Sequence, residues 1–319
     1  MNRVGERDMP LPVTDDEIKS RINFYIPKIK RNNIISVILI CLGVVIFIFA
    51  FVYANENLYS SLEDTLGIAL IPSAPVLIVG GAFLNSAFHD KKRLSSYIRG
   101  NVVKCFLAER FELKYYASAR HILPEKIRWT GLINNWSRID GSDLTEGCYK
   151  GVKFSFSDIH LSTGDEKASV TLFKGQWLIL ELNNEIPWGV KLRERGIDNK
   201  LAKSDVETEN IEFNKKFEIK SSDPHTAFYI LTPHFMEYIL KADKRAQART
   251  YISIDGTQIH VALHSGRDLF EPGEKGMFDI KNIDALRMQV KWDINYITGV
   301  IDAFLESEKF FGVSELNQK

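Results

Sequence analysis

Four groups of histidines and carboxylates in this chain have types and spacings that could do chemistry. In "FSFSDIHLS", Asp158 and His160 stand two positions apart. On a β-strand such positions share a face ~6.6 Å apart, so the carboxylate could orient the imidazole as in an acid–base pair. A nucleophile or third ligand would have to come from elsewhere in the chain. The bland alternative is a polar strand end after the apolar Phe154 and Phe156. His260 and His264 also share a strand face, but ~13 Å separates them, too far to ligate one ion. Asp140, Asp143 and Glu146 in "RIDGSDLTEG" offer oxygen ligands. They lack the alternating acidic positions and spaced terminal glutamate of a calcium loop, so a turn capping the next strand is expected there. His225 and His234 in "HTAFYILTPHFMEYIL" would fall on opposite faces of a continuous helix. With Pro233 at the start of a second helix and Thr232 as its N-cap, the stretch reads as a helical pair. Phe228, Tyr229, Ile230, Leu231, Phe235, Met236, Tyr238 and Ile239 are then expected to pack against a sheet.

Phosphate loops, dinucleotide fingerprints, zinc-protease helices and nucleophile elbows are missing from the sequence. No catalytic residue, cofactor or metal is therefore expected, and Asp158 and His160 remain the polar candidates. Cys41, Cys105 and Cys148 form no C-x-x-C pair, which leaves neither a disulfide framework nor a zinc site. Lys+Arg and Asp+Glu both number 41, so nothing suggests the positive field that draws a protein onto nucleic acid.

The elements that must position these residues begin with two uncharged apolar runs, Ile34 to Ala54 and Leu66 to Leu84. Each has about the ~20 residues a bilayer-spanning helix needs, and Pro72 and Pro75 are tolerated in such helices. Lys28, Lys30 and Arg31 precede the first run, and Lys91, Lys92, Arg93 and Arg99 follow the second, while the connecting loop is acidic. The positive-inside rule places both termini in the cytoplasm. Lys91, Lys92 and Arg93 could also meet anionic lipid at the membrane surface. Ahead of the first run, Thr14 and Glu17 have capping-box spacing, and Ile18, Ile22, Ile26 and Ile29 recur at helical intervals. The expected organisation is an amphipathic cytosolic segment (1–33), a transmembrane hairpin (34–88), a juxtamembrane helix (89–112) and a cytosolic α+β domain (113–319).

Within that domain, "CYKGVKFSFSDIHLS" and "ASVTLFKGQWLILELN" predict the two arms of a long antiparallel hairpin turning near Gly164 and Asp165. "IPWGVKLRER" predicts a further strand. Asp255–Gly256 in "TYISIDGTQIHVALH" has the chemistry of a type I′ hairpin turn. Residues 196–210 are polar and predict a flexible loop. Ile283, Leu286, Val290, Ile294, Ile297, Ile301 and Leu305 form one apolar stripe, which predicts a long closing helix packed on the sheet.

The stretch "NIEFNKKFEIKSSDPHTAFYILTPHFMEYIL" carries an F-x-x-x-F pair at Phe213 and Phe217, an S-x-D step from Ser221 to Asp223, and "ILTPHFME". Together with "GVKFSFSDIHLS" and "LFKGQWLILEL", it resembles the bacterial domain-of-unknown-function family numbered thirty-one thirty-seven, over roughly residues 15 to 307. The resemblance implies a two-pass inner-membrane protein of unassigned function, a possible companion of LemA-type membrane proteins, and transfers no catalytic residue. The order of elements, a curved sheet closed by a C-terminal helix, is also similar to pleckstrin-homology-like domains, which bind peptides or lipid headgroups. The leading expectation is a non-enzymatic adaptor that holds a protein partner at the inner leaflet. The alternatives are a lipid or small-ligand binding module, and a hydrolase or metalloenzyme using Asp158 and His160.

Overall fold

The computed structural model describes residues 14–57, 61–165, 168–196, 203–270 and 283–305. Two compact units meet in the chain at Asn101–Val102. The fold is α+β, an apolar helical pair followed by an antiparallel sheet with its helices.

The first unit is built on α1 (Asp15–Asn57) and α2 (Leu62–Tyr97). Thr14 Oγ accepts from Glu17 N at 3.4 Å to start α1, and Ser61 Oγ accepts from Asp64 N at 3.3 Å to start α2. The separate N-terminal segment expected from the sequence is instead the first part of α1, which runs unbroken through Pro27. Proline removes one intrahelical hydrogen bond, a loss a long helix survives when its face is otherwise held. Ile18, Ile22 and Ile29 on that part are buried. Both helices are long and apolar enough to cross a membrane, and outward side chains such as Phe49 (74 % exposed) and Ile71 (75 %) stay uncovered.

A polar ladder sets the register of the pair. Lys28 Nζ lies 3.0 Å from Asp90 Oδ2, an ion-pair distance outside hydrogen-bonding geometry. Asn32 Nδ2 donates to Ser86 Oγ at 3.3 Å, and Ser36 Oγ donates to the Gly80 carbonyl at 2.8 Å. Beyond these, glycines let the backbones approach. A Cβ on Gly80 would sit 3.1 Å from Ile40 Cγ1, and one on Gly43 would sit 2.6 Å from Leu77 Cδ2. Helices that meet in an apolar medium rely on such close packing and on interhelical hydrogen bonds. After α2 the chain passes through a π-helical turn (Ile98–Val103) into α3 (Lys104–Arg110).

The second unit contains one six-stranded antiparallel sheet: β1 (Glu112–Ala117), β2 (Arg138–Tyr149), β3 (Val152–Asp165), β4 (Ala168–Glu194), β5 (Phe217–Ser221) and β6 (Arg249–His264). The first five follow one another in order, and β6 returns to pair with β4. β4 is long enough to serve three partners. Its first half lies between β3 and β6, and its second half between β5 and β6. "IPWGVKLRER" is therefore the second half of β4 and not a separate strand.

Two further expectations are overturned. Asp255–Gly256 does not turn the chain, because β6 continues through it, with Gly256 (φ 57°) opposite Ile186 at a register shift. Glycine in the left-handed region serves a bulge as readily as a turn, and here the partner strand continues on both sides. The two-residue turn with both φ values positive is Lys150–Gly151 (51° and 82°), between β2 and β3, inside a stretch read from sequence as one strand. The acidic stretch Asp140 to Glu146 is likewise part of β2 and not a turn, with a bulge at Asp143 (φ 59°).

Both faces of the sheet are covered at its centre, where Phe156–Ile159 of β3 and Gly175–Leu180 of β4 are buried without a break. One face carries Ile159, Leu161, Phe173, Trp177 and Ile179, packed on Ile122, Trp136 and Ile127 of α4 (Pro124–Thr130). The other carries Phe154, Phe156, Leu178 and Leu180, with Phe156 edge-on to Phe270. Three further helices join this unit. In α5 (Ile211–Lys216), Asn210 caps the N-terminus, and the Phe213 ring lies tilted against Phe217 with centroids 5.0 Å apart. Ser221 Oγ donates to the Asp223 carbonyl at 2.9 Å, and Asp223 caps α6 (Pro224–Ile230). Thr232 caps α7 (Pro233–Ala246), as its sequence predicts. The residues of the quoted family stretch thus build strand ends and helix caps.

The long C-terminal helix α8 (Ile283–Leu305) buries Val290, Ile294, Ile297 and Ile301, and Phe304 meets Phe235 of α7 at 6.2 Å. The expectations for Ile283 and Leu286 lie outside the described side chains. Of the loop expected at 196–210, residues 197–202 lie outside the described residues. The remainder is tied down, with Asp205 N donating to the Ile219 carbonyl at 2.9 Å and Val206 buried.

Candidate binding cleft

Asp158 and His160 share a face of β3 but go to different partners. His160 meets Thr171 Oγ at 3.0 Å near the surface. Asp158 is 1 % exposed and accepts from Gln176 Nε2 at 3.0 Å and from the Leu269 amide at 2.7 Å. Burial, reinforced by the Asp143 carboxylate, pushes its own carboxyl well above the usual carboxylate range against those two donors. The same Gln176 Nε2 also donates to the Arg267 carbonyl at 2.7 Å, and Ser265 Oγ donates to Gln176 Oε1 at 2.8 Å. Lys174 pairs with Asp268 at 3.2 Å, and the Phe270 amide donates to Asp293 Oδ2 at 3.0 Å. Asp158 is thus the buried anchor of the segment 265–270 that leaves β6. It holds backbone and has no imidazole to orient.

That segment delivers Arg267 to a cleft of about 540 Å³ where α7 ends, β6 ends and α8 passes. The Arg267 guanidinium lies 4.4 Å from the Trp292 ring centroid and 5.4 Å from that of Tyr296. Trp292 and Tyr296, one helical turn apart on α8, have centroids 6.0 Å apart with planes at 17°, giving a flat aromatic wall. Tyr296 Oη donates to the Ala246 carbonyl at 3.0 Å, and burial pushes its phenol up to about 12. Arg245, also on the lining, donates from Nη1 to the Gly299 carbonyl at 2.9 Å. Gln247, at φ 48° past the end of α7, and Asn295 add amides to the lining. Two guanidiniums, two amides, the Ser265 hydroxyl and two aromatic rings line this cleft, with no carboxylate, thiol or imidazole among the described lining residues. Among the described residues, the Arg267 guanidinium has ring contacts and no acceptor.

The remaining candidates resolve into structure. His260 is buried, with its Nδ1 accepting from Trp177 Nε1 at 3.2 Å and its Nε2 meeting Gln258 Oε1 at 3.2 Å. Burial, with Lys126 nearby, lowers its pKa to about 4, so the ring is neutral and Nε2 carries the proton. His264 packs on Phe173 at 5.4 Å. His225 and His234 are exposed, and so are Phe228 (52 %) and Tyr229 (65 %), which corrects the expectation that those two aromatics pack inward. Among the described residues no group of three metal-ligating side chains converges. Lys91, Lys92 and Arg93 are exposed at the end of α2, where His89, Ser96 and Tyr97 join Lys92 and Arg93 around an open hollow of about 520 Å³.

Arg267, Trp292 and Tyr296 were not singled out from the sequence. The signal was present in Trp292 and Tyr296, an i, i+4 aromatic pair off the apolar stripe of α8. The 25 residues from Arg267 to Trp292 hide the third member.

A family described as "Protein of unknown function (DUF3137)" matches residues 171–305. It carries the same family number as the resemblance drawn from the sequence and corrects that resemblance in its extent. The match covers under half of the chain and leaves out the apolar helical pair and β1 to β3, so it does not carry a two-pass family extending over residues 15 to 307. No curated protein matches the chain. Among solved structures, the crystal structure of the mycobacterial trehalose monomycolate transport factor A, TtfA, is similar at 10% identity and a TM-score of 0.28. That likeness covers 61% of this chain and 89% of that one. A TM-score that low carries no inference about fold or function. The whole cleft, from Arg245 to Gly299, lies inside the matched stretch.

Proposed function

We propose that the protein is a membrane-tethered, non-enzymatic binding module. Its helical pair anchors it in a bacterial inner membrane with both termini cytoplasmic, and its sheet domain engages a ligand or a partner's anionic group through the Arg245–Arg267–Trp292 cleft. The observation that carries this reading is the lining of that cleft, which offers charge and aromatic surface for recognition, while its two hydroxyls are spent on structure, Ser265 Oγ on Gln176 and Tyr296 Oη on the Ala246 carbonyl. The anchor is supported by two long apolar helices whose outer faces stay exposed, flanked by the basic residues of the positive-inside pattern. An adaptor for a protein partner, LemA-type proteins included, fits the same cleft when the partner brings an acidic or phosphorylated group. A hydrolase or metalloenzyme centred on Asp158 and His160 draws no support from the geometry, because the two side chains are committed to separate partners.

The test is purification of the full chain in mild detergent, wild type against Trp292→Ala, followed by quantitative mass spectrometry. The expected result is a molecule or protein held stoichiometrically by the wild type and lost from the variant, with both melting alike. Equal retention by both would sink the reading.

A further inference from the structure

We propose that the cleft is a receptor for a phosphoryl group borne on a ligand with a flat or apolar remainder, an inference that rests on the binding-module reading above. Arg267 is held with its guanidinium over the Trp292 and Tyr296 rings, and its backbone carbonyl is fixed by Gln176. A guanidinium covered on its face still offers its edges, and those in-plane N–H groups form the fork that grips an oxyanion with two parallel hydrogen bonds. Arg245 contributes a second positive charge, and one of its nitrogens is fixed on the Gly299 carbonyl.

Two cations with no acid among the cleft's described lining residues complement a dianion. A phosphate monoester near neutral pH carries a charge of about −1.5 to −2, whereas a carboxylate would leave one arginine uncompensated. Gln247 and Asn295 add N–H donors for further oxygens. At about 540 Å³ the cleft has room for more than the anion, and the stacked pair of rings supplies a flat wall for whatever carries it.

The same phosphoryl chemistry can come from a lipid headgroup or from a soluble metabolite. The experiment uses the full chain in an uncharged detergent at low salt, titrated calorimetrically with phenyl phosphate, inorganic phosphate, benzoate and short-chain phosphatidic acid. The expected result is binding of phenyl phosphate at least tenfold tighter than benzoate, with inorganic phosphate weaker than phenyl phosphate for want of the ring. Arg267→Gln should weaken phenyl phosphate at least tenfold. Arg267→Lys should lose nearly as much despite its charge, because an ammonium neither stacks nor forks. Phosphatidic acid binding above phenyl phosphate assigns the lipid source, and the reverse assigns the soluble one.

The proposal is overturned if the wild type binds neither phenyl phosphate nor phosphatidic acid, if benzoate binds as tightly as phenyl phosphate, or if Arg267→Gln binds like wild type. Should Arg267→Gln fail to fold, the exposed Arg245→Gln supplies the same comparison. Absence of phosphoryl binding while Trp292→Ala still loses its co-purified ligand would overturn this inference and leave the binding-module reading standing.

Discussion

At the scale of single residues, two buried titratable groups act on stability in opposite directions. The Asp158 carboxyl is raised by burial and by Asp143. Its contribution is full below the ordinary carboxylate pKa of ~3.9 and is lost as pH rises through the folded value. The Asp158→Asn variant should therefore gain on the wild type as pH rises from 4 to 7, after a pH-independent loss from one hydrogen bond that the amide cannot accept. His260 is depressed to about 4. Its contribution is full above ~6.5 and is lost as pH falls toward the folded value, a change of about 3 kcal/mol. His260→Phe should gain on the wild type as pH falls over the same interval. Melting curves of the three proteins from pH 4 to 7 check both signs, and parallel curves would remove the buried, structural reading of these side chains. The sequence put Asp158 forward as a carboxylate that could orient His160 two positions along the strand, whereas the two side chains go to separate partners. It could not name the residue's work, because the Leu269 amide that Asp158 holds lies 111 positions away.

At the scale of elements, the helical pair rests on a few close approaches. Gly80→Leu would drive a side chain into Leu39 and Ile40 and strip space from the Ser36 hydrogen bond. The expected cost is about 1 to 3 kcal/mol. It should appear as a lowered melting temperature of the full chain in detergent, whereas Gly81→Leu, where a Cβ meets nothing within 4 Å, should melt like wild type. Much of this level was legible beforehand. The apolar runs, the caps at Thr14 and Thr232, and the stripe of α8 all depend on residues three or four apart. Strand division was less so. Lys150–Gly151 and Asp255–Gly256 offer the same local chemistry, a residue followed by glycine at positive φ, and only the partner strand decides which one turns the chain. The two halves of β4 were split for the same reason, since Pro187 and Gly189 suggest an end that β5 and β6, from far along the chain, override.

At the scale of the whole molecule, the proposed function needs both the apolar helical pair and the cleft. The helical pair was plain in the sequence because long uncharged runs are read directly from it. The cleft was hidden because its parts come from α7, the end of β6 and α8, and their meeting is a product of the sheet's topology. In spheroplasts, protease added outside should leave the Lys244–Arg245 site intact and cut it in inverted vesicles; cleavage from outside would reverse the orientation. The central claim, that this cleft is where the protein meets its ligand, is tested most directly by hydrogen exchange on the full chain with and without a small-molecule and lipid extract of its own cells. The account predicts slowed exchange at 245–247, 265–269 and 292–299, absent in Arg267→Gln. Slowing confined to other segments, or no slowing at all, would contradict it.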